Sequence, residues 1–248
     1  MKSLLLVLLL LTSPARASAD AALALVHWQQ VLESFVDEAG RTDFRRLASE
    51  RQALDAFVAW LADNGPATAP GDFPTRQSIL AFHINAYNAL AMHGIVERGI
   101  PRDFSSFFKR ARFFRFHKIA VDGDATNLYD YENDVIRPLG DARVHFALNC
   151  MVRSCPRLPR AAFTAASLDG VLDALTREFF TNEKYLVVNA NKRKVAVSAI
   201  LDFYTKDFVA SGKHQDLTTY INRYRDVPVP SDYRVTFLDY DWTVNQSP

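Results

Sequence analysis

Apolar residues recur at helical spacing from the start of the chain. Between Ala22 and Glu38 they fall at Leu25, Trp28, Val31, Leu32 and Phe35, and Gly40 follows as a stop. The pattern predicts a second helix from Arg51 to Asp63 on Leu54, Phe57, Val58 and Leu61. The breaker-rich stretch Asn64 to Gly71 closes it. A long helix from Thr75 to Arg98 is apolar nearly all round, which predicts a central, buried position.

After Pro101 the periodicity shortens. Lys118 to Val121, followed by Asp122-Gly123-Asp124, predicts a strand and a tight turn. Asn127 to Arg137 predicts a short helix, and Arg143 to Leu148 a strand. A helix is predicted over Ser167 to Phe180 with Ser167 as its cap. Tyr185–Val188 and Lys194–Val197 read as a hairpin. Helices over Ala199–Phe208, capped by Ser198, and Leu217–Tyr224, capped by Asp216, precede a last strand at Arg234–Tyr240. The expected class is α+β: a helical N-terminal part packed on a small, mostly antiparallel sheet.

The first nineteen residues read as a cleavable export signal. Lys2 is the basic end, Leu4 to Leu11 the apolar run, and Ala17-Ser18-Ala19 the cleavage pattern, so the mature chain would begin at Asp20. The expected location is periplasmic or secreted, with no transmembrane segment in the mature chain. Residues 20–248 read as one domain. Loss of Lys2 and Arg16 would leave 27 basic and 28 acidic side chains, a balance that gives no case for nucleic acid. The densest basic stretch, Lys109 to Lys118, is interleaved with phenylalanines. It reads as an amphipathic connector whose rings enter the core while its arginines reach solvent.

The candidate chemistry centres on Val144 to Pro156, which holds His145 and both cysteines of the chain, Cys150 and Cys155. A thiol near an imidazole is the minimum for nucleophilic catalysis. Two thiols in an exported chain are equally the minimum for a disulfide. Closing Cys150 to Cys155 makes a small loop, worth about 2 kcal/mol in the chain-entropy view. Pro156 would place Cys155 at a helix N-terminus, where thiol pKa falls. A zinc site using His145, Cys150 and Cys155 would need His83, His93 or His117 as well, and the spacing fits no common pattern. No metal or cofactor is therefore expected. Asn85, Tyr87 and Asn88 lie on the apolar central helix, where buried amides must find partners or meet a ligand. Glu132, flanked by Asp130 and Asp134, is a carboxylate able to orient an imidazole.

These pieces together resemble the domain-of-unknown-function 547 family. The resemblance rests on Ile84-Asn85-Ala86-Tyr87-Asn88, Glu132 with Arg137 and Pro138, and Val144 through Cys150. Ser154-Cys155-Pro156, Phe203-Tyr204 with Asp207-Phe208, and Tyr240 to Asn245 complete it. The family commonly has tryptophan where this chain has His83, and histidine where it has Asn133.

By analogy the Glu, His and Cys set is similar to a rearranged papain-like or transglutaminase-like site, with histidine before cysteine. One expectation is a cysteine-dependent acyl-transfer enzyme of the cell envelope acting on a peptide or amide. Cys155 is then the nucleophile, His145 the base and Glu132 its orienting group, with Asn85 or Asn149 supporting an oxyanion. Cys150 is the rival nucleophile. The other expectation is a non-catalytic envelope module with a structural Cys150–Cys155 bridge. Thiol redox work fits less well, since Cys-x4-Cys is not Cys-x-x-Cys.

Overall fold

The computed structural model describes residues 14–248, with side chains from residue 19. The apolar run Leu4–Leu11 of the expected export signal lies outside the described residues. Helix α1 (Pro14–Phe35) is continuous through the expected cleavage point. It is followed by α2 (Phe44–Ser49), which the periodicity missed, and α3 (Gln52–Asp63). Helix α4 (Arg76–Glu97) runs through the middle, and every residue from Leu80 to Met92 is buried. It starts at a capping box in which Thr75 accepts from the Ser78 N–H while the Ser78 hydroxyl accepts from the Thr75 N–H. Helix α4 is long and apolar enough to cross a membrane, but its flanks are covered by the fold. Trp28 of α1 stacks on Phe57 of α3, 5.7 Å between centroids, which locks the two helices together over α4.

Helix α5 (Phe107–Phe114) seats on α4 at Gly94, where an added Cβ would stand 3.1 Å from the Phe113 ring. The hairpin β1 (Lys118–Val121) and β2 (Asp124–Asn127) is antiparallel, with positive φ at Asp122 and Gly123 as the turn demands. Next comes α6 (Leu128–Asp130), capped by Asn127, which widens directly into a π-helix at Tyr131–Ile136. Wide π turns recur where side chains must be re-aimed, and Glu132 sits inside this one.

Residues Ala142–Phe146 form a 3-10 turn, not the expected strand. Asp141 caps it by accepting from the Arg143 N–H. The segment lies between two apolar cores, so Val144 and Ala147 face one and Phe146 the other. Burial on several sides erases the polar positions that would have revealed a period of three.

Helix α7 (Leu168–Thr181) follows, with no side-chain cap from Ser167. The expected helix over Ala199–Phe208 is two pieces, α8 (Ile200–Phe203) and α9 (Thr205–Phe208), broken at Tyr204. Helix α10 (Leu217–Ile221) is shorter than the pattern predicts, and Asp216 makes no side-chain cap. Strands β3 (Leu186–Asn189) and β4 (Lys194–Ser198) pair antiparallel as expected. Strand β5 (Arg234–Leu238) joins β4 in parallel. This small sheet carries the second core around Phe146, Phe179, Phe180 and Phe208. The class is α+β, with a helical N-terminal part and a small sheet.

The C-terminal tail then returns across the helical part. Phe104 N–H donates to Trp242, Arg153 N–H to Thr243, and Asn245 N–H to Met151. These bonds lay Tyr240 and Trp242 beside the Cys150–Cys155 loop.

Candidate functional site

A cavity of about 430 Å³ opens between α5, the π-helix, the Cys150–Cys155 loop, the α8–α9 break and the C-terminal tail. Its wall includes Tyr87, Glu132, His145, Cys150 and Cys155, so the structure brings together five of the residues singled out in the sequence. Phe203, Tyr204, Tyr240 and Trp242 supply much of the apolar remainder.

His145 is buried and its ring stacks on Tyr204, 4.0 Å between centroids. Its Nε2 lies 2.8 Å from Asp207 Oδ2. The partner is therefore Asp207, not the expected Glu132. Asp207 also accepts from Arg137 Nε at 2.7 Å and Nη2 at 2.8 Å, a bidentate pair. Burial pushes the Asp207 carboxyl up, but the hydrogen bonds from Arg137 and His145 outweigh it and hold the group well below the usual carboxylate range. Among the described residues no hydrogen bond engages His145 Nδ1.

Glu132 is 8% exposed and faces the cavity. Burial, and then the Glu132 charge, push the phenols of Tyr87 and Tyr204 well above their usual value. Burial does the same to Tyr240, again reinforced by Glu132. The cavity thus has a carboxylate ringed by phenols that remain protonated at neutral pH.

Cys150 and Cys155 are joined by a disulfide. Cys155 is 3% exposed. Its sulfur accepts from the Cys150 N–H at 3.1 Å and from the Tyr240 hydroxyl at 3.6 Å. No helix begins at Pro156, which corrects the expected N-terminal placement: Pro156–Pro159 is irregular. The two donors that face the Cys155 sulfur come instead from its own loop and from the tail.

Asn85, Asn88 and Asn149 do not line the cavity. Asn85 accepts from Trp28 Nε1 and the Phe163 N–H and donates to the Phe163 carbonyl. Asn88 accepts from the Asn149 N–H at 2.7 Å and donates to the Ala147 carbonyl. Asn149 donates to the Pro156 carbonyl and accepts from the Met151 N–H. Asn85 ties Trp28 and the Phe163 backbone to α4, while Asn88 and Asn149 bond only to backbone and pin the loop that carries the cysteines.

Residues missed as site groups are Asp207, Arg137, Tyr204 and Tyr240. All four stand in the motif pieces quoted for the family resemblance, which was the available signal. Asn133, where the family commonly has histidine, binds the Arg137 guanidinium through its side-chain oxygen. Among the described residues no group of three or more His, Cys, Asp or Glu side chains is placed to hold a metal ion. His83 instead bonds Tyr131 at 2.7 Å, and His93 bonds Arg51.

Fold and site together define an α+β protein with a histidine held by an aspartate, a second carboxylate and two sulfurs meeting at one aromatic-walled cavity. Residues 72–180 match a family described as a protein of unknown function, DUF547, and this stretch belongs to it. The match spans Glu132, His145 and both cysteines but ends before Tyr204, Asp207 and Tyr240. No curated protein and no solved structure matches the chain.

Proposed function

We propose that the protein is a cysteine-dependent acyl-transfer enzyme, a peptidase, amidase or transglutaminase-like activity of the cell envelope, that works in its thiol form. The observation that carries this is His145, held by Asp207, on the cavity wall that also holds both sulfurs. Cys155 is the nucleophile, favoured over Cys150 by the Cys150 N–H that would stabilise its thiolate; the Tyr240 hydroxyl stands 3.6 Å from both sulfurs. His145 takes the thiol proton, and Asp207 fixes the ring and stabilises the imidazolium. The thiolate adds to the acyl carbon, and the leaving amine takes its proton from His145. Water, or a second amine, then releases the thioester. The protonated phenols of Tyr87 and Tyr204 are the donors available to a developing oxyanion, and the Glu132 charge keeps them protonated.

The disulfide must first be opened. A dithiol reductant supplies two electrons and two protons and leaves as its own disulfide. This requirement favours a second reading, in which the bridge is permanent and the cavity only binds a peptide or other envelope ligand. The two separate on exposure of reduced protein to p-nitrophenyl acetate, followed by intact-mass spectrometry. The enzymatic reading expects an acetyl adduct on Cys155 that is absent in Cys155→Ser and strongly diminished in His145→Ala. Equal, slow acetylation of both thiols, indifferent to His145, supports the binding module.

A further inference from the structure

The basic and aromatic stretch on α5 does not bury its rings as the sequence pattern suggests. Phe113 is in the core and Phe114 is half-buried against Trp242. Phe107, Phe108 and Phe116 instead stand 68%, 81% and 72% exposed. A ring so exposed is costly in water; Phe107 and Phe108 stand together, 5.9 Å between centroids, and Phe116 is exposed just past the end of the helix.

The charge around them has one sign. From Phe104 to Val121 the chain has no acidic residue, while Lys109, Arg112, Arg115 and Lys118 are exposed. Lys109 pairs with Asp103. Arg112, Arg115 and Lys118 form no ion pair among the described residues, and Arg115 lies over the Tyr129 ring at 3.5 Å. Uncovered phenyl rings beside unpaired guanidinium groups are complementary to a surface with an apolar interior and an anionic face. An amphipathic helix at a lipid interface uses this combination.

We propose that the α5 face, Phe107 to Lys118, docks the protein on an anionic membrane surface. Phe107, Phe108 and Phe116 enter the headgroup boundary, and Arg112, Arg115 and Lys118 meet lipid phosphates. The cavity has Phe107, Ala111, Phe114 and Arg115 in its wall, so it opens beside this face. A ligand would enter from the membrane plane, which selects an amphiphilic or lipid-linked molecule. The proposal is independent of whether the cavity is catalytic.

The test is co-sedimentation of the full chain without its first nineteen residues with phosphatidylcholine vesicles, with and without phosphatidylglycerol. Phe108 and Phe116 lie outside the cavity wall, so Phe108→Ser/Phe116→Ser tests the surface alone. Binding to the anionic vesicles only, weakened about tenfold or more by that pair and by high salt, is the expected result. Arg112→Glu should weaken binding as well, and decides the matter if the double variant does not fold. No vesicle binding by the wild type, or binding unchanged in both variants, overturns the proposal. So does a wild-type oligomer that Phe108→Ser/Phe116→Ser converts to monomer without any vesicle binding, which would make the patch an interface between copies.

Discussion

Replacing Asp207 with asparagine tests the link between fold and site at one atom pair. The carboxylate holds three charge-assisted or potentially charged hydrogen bonds, two from Arg137 and one from His145. The Arg137 and Asp207 side chains are only 26% and 22% exposed, so water screens the pair incompletely. An exposed pair contributes 0–1 kcal/mol and breaking a buried one costs 3–5. The intermediate burial here places the cost at about 2–3 kcal/mol, or roughly 4–12 °C in Tm for a chain of this size. The pH dependence follows from the depressed carboxyl of Asp207. Its contribution is complete at neutral pH, above the unfolded value of about 3.9, and is lost as pH falls from there toward the lower folded value. Urea unfolding of wild type and Asp207→Asn should therefore differ at pH 7, and the gap should begin to narrow below about pH 4 and close only as pH approaches the lower folded value. A difference under about 0.5 kcal/mol at pH 7, or one independent of pH, would refute the assigned role of the pair.

Asn88→Ala leaves the Asn149 N–H and the Ala147 carbonyl buried without partners. It should cost roughly 2–4 kcal/mol in chemical unfolding, where under about 1 kcal/mol would show that the loop rearranges freely. Reduction of Cys150–Cys155 should lower stability by only about 2 kcal/mol, because the closed loop is short; a loss of all cooperative unfolding would show that the bridge is essential to the fold. Burial, opposed weakly by the Asp122 charge, lowers His83 to about 4. The unfolded chain then binds the extra proton between about pH 6.5 and pH 4, so stability should fall with falling pH across that window by up to about 3 kcal/mol. His83→Phe should flatten that part of the urea-unfolding profile, and an unchanged slope would assign the proton uptake elsewhere.

Helical periodicity was legible wherever one side of an element faced solvent, as at α3 and the part of α1 from Ala22 to Phe35. It was misleading at Ala142–Phe146, where two cores meet and burial is nearly continuous. The break at Tyr204 was also hidden, since Ala199–Phe208 has good helical spacing and only the tertiary setting of His145 and Arg137 explains why Tyr204 leaves the helix line. His145, Glu132 and the cysteines were found from residue type and local context. Asp207 was not assigned as the partner because that pairing spans 62 positions, which no local spacing encodes. The buried asparagines followed from the cost of an unpaired amide, which is why the backbone-tying role is the one the geometry displays. The exposed rings of α5 run against hydrophobic patterning, and a contradiction of that kind marks a surface with an unmet partner.

The central claim is that Cys155 becomes an activated thiolate once the bridge is opened. The most direct measurement is the rate of iodoacetamide labelling at each cysteine across pH, resolved by peptide mapping, on unreduced and gently reduced protein. The account predicts no labelling while the bridge is intact. After reduction it predicts rapid labelling of Cys155 alone below pH 7, slowed strongly in His145→Ala and in Asp207→Asn. Two thiols that label only near the ordinary cysteine pKa of about 8.5, at rates blind to His145, would contradict it and leave a binding module braced by a disulfide.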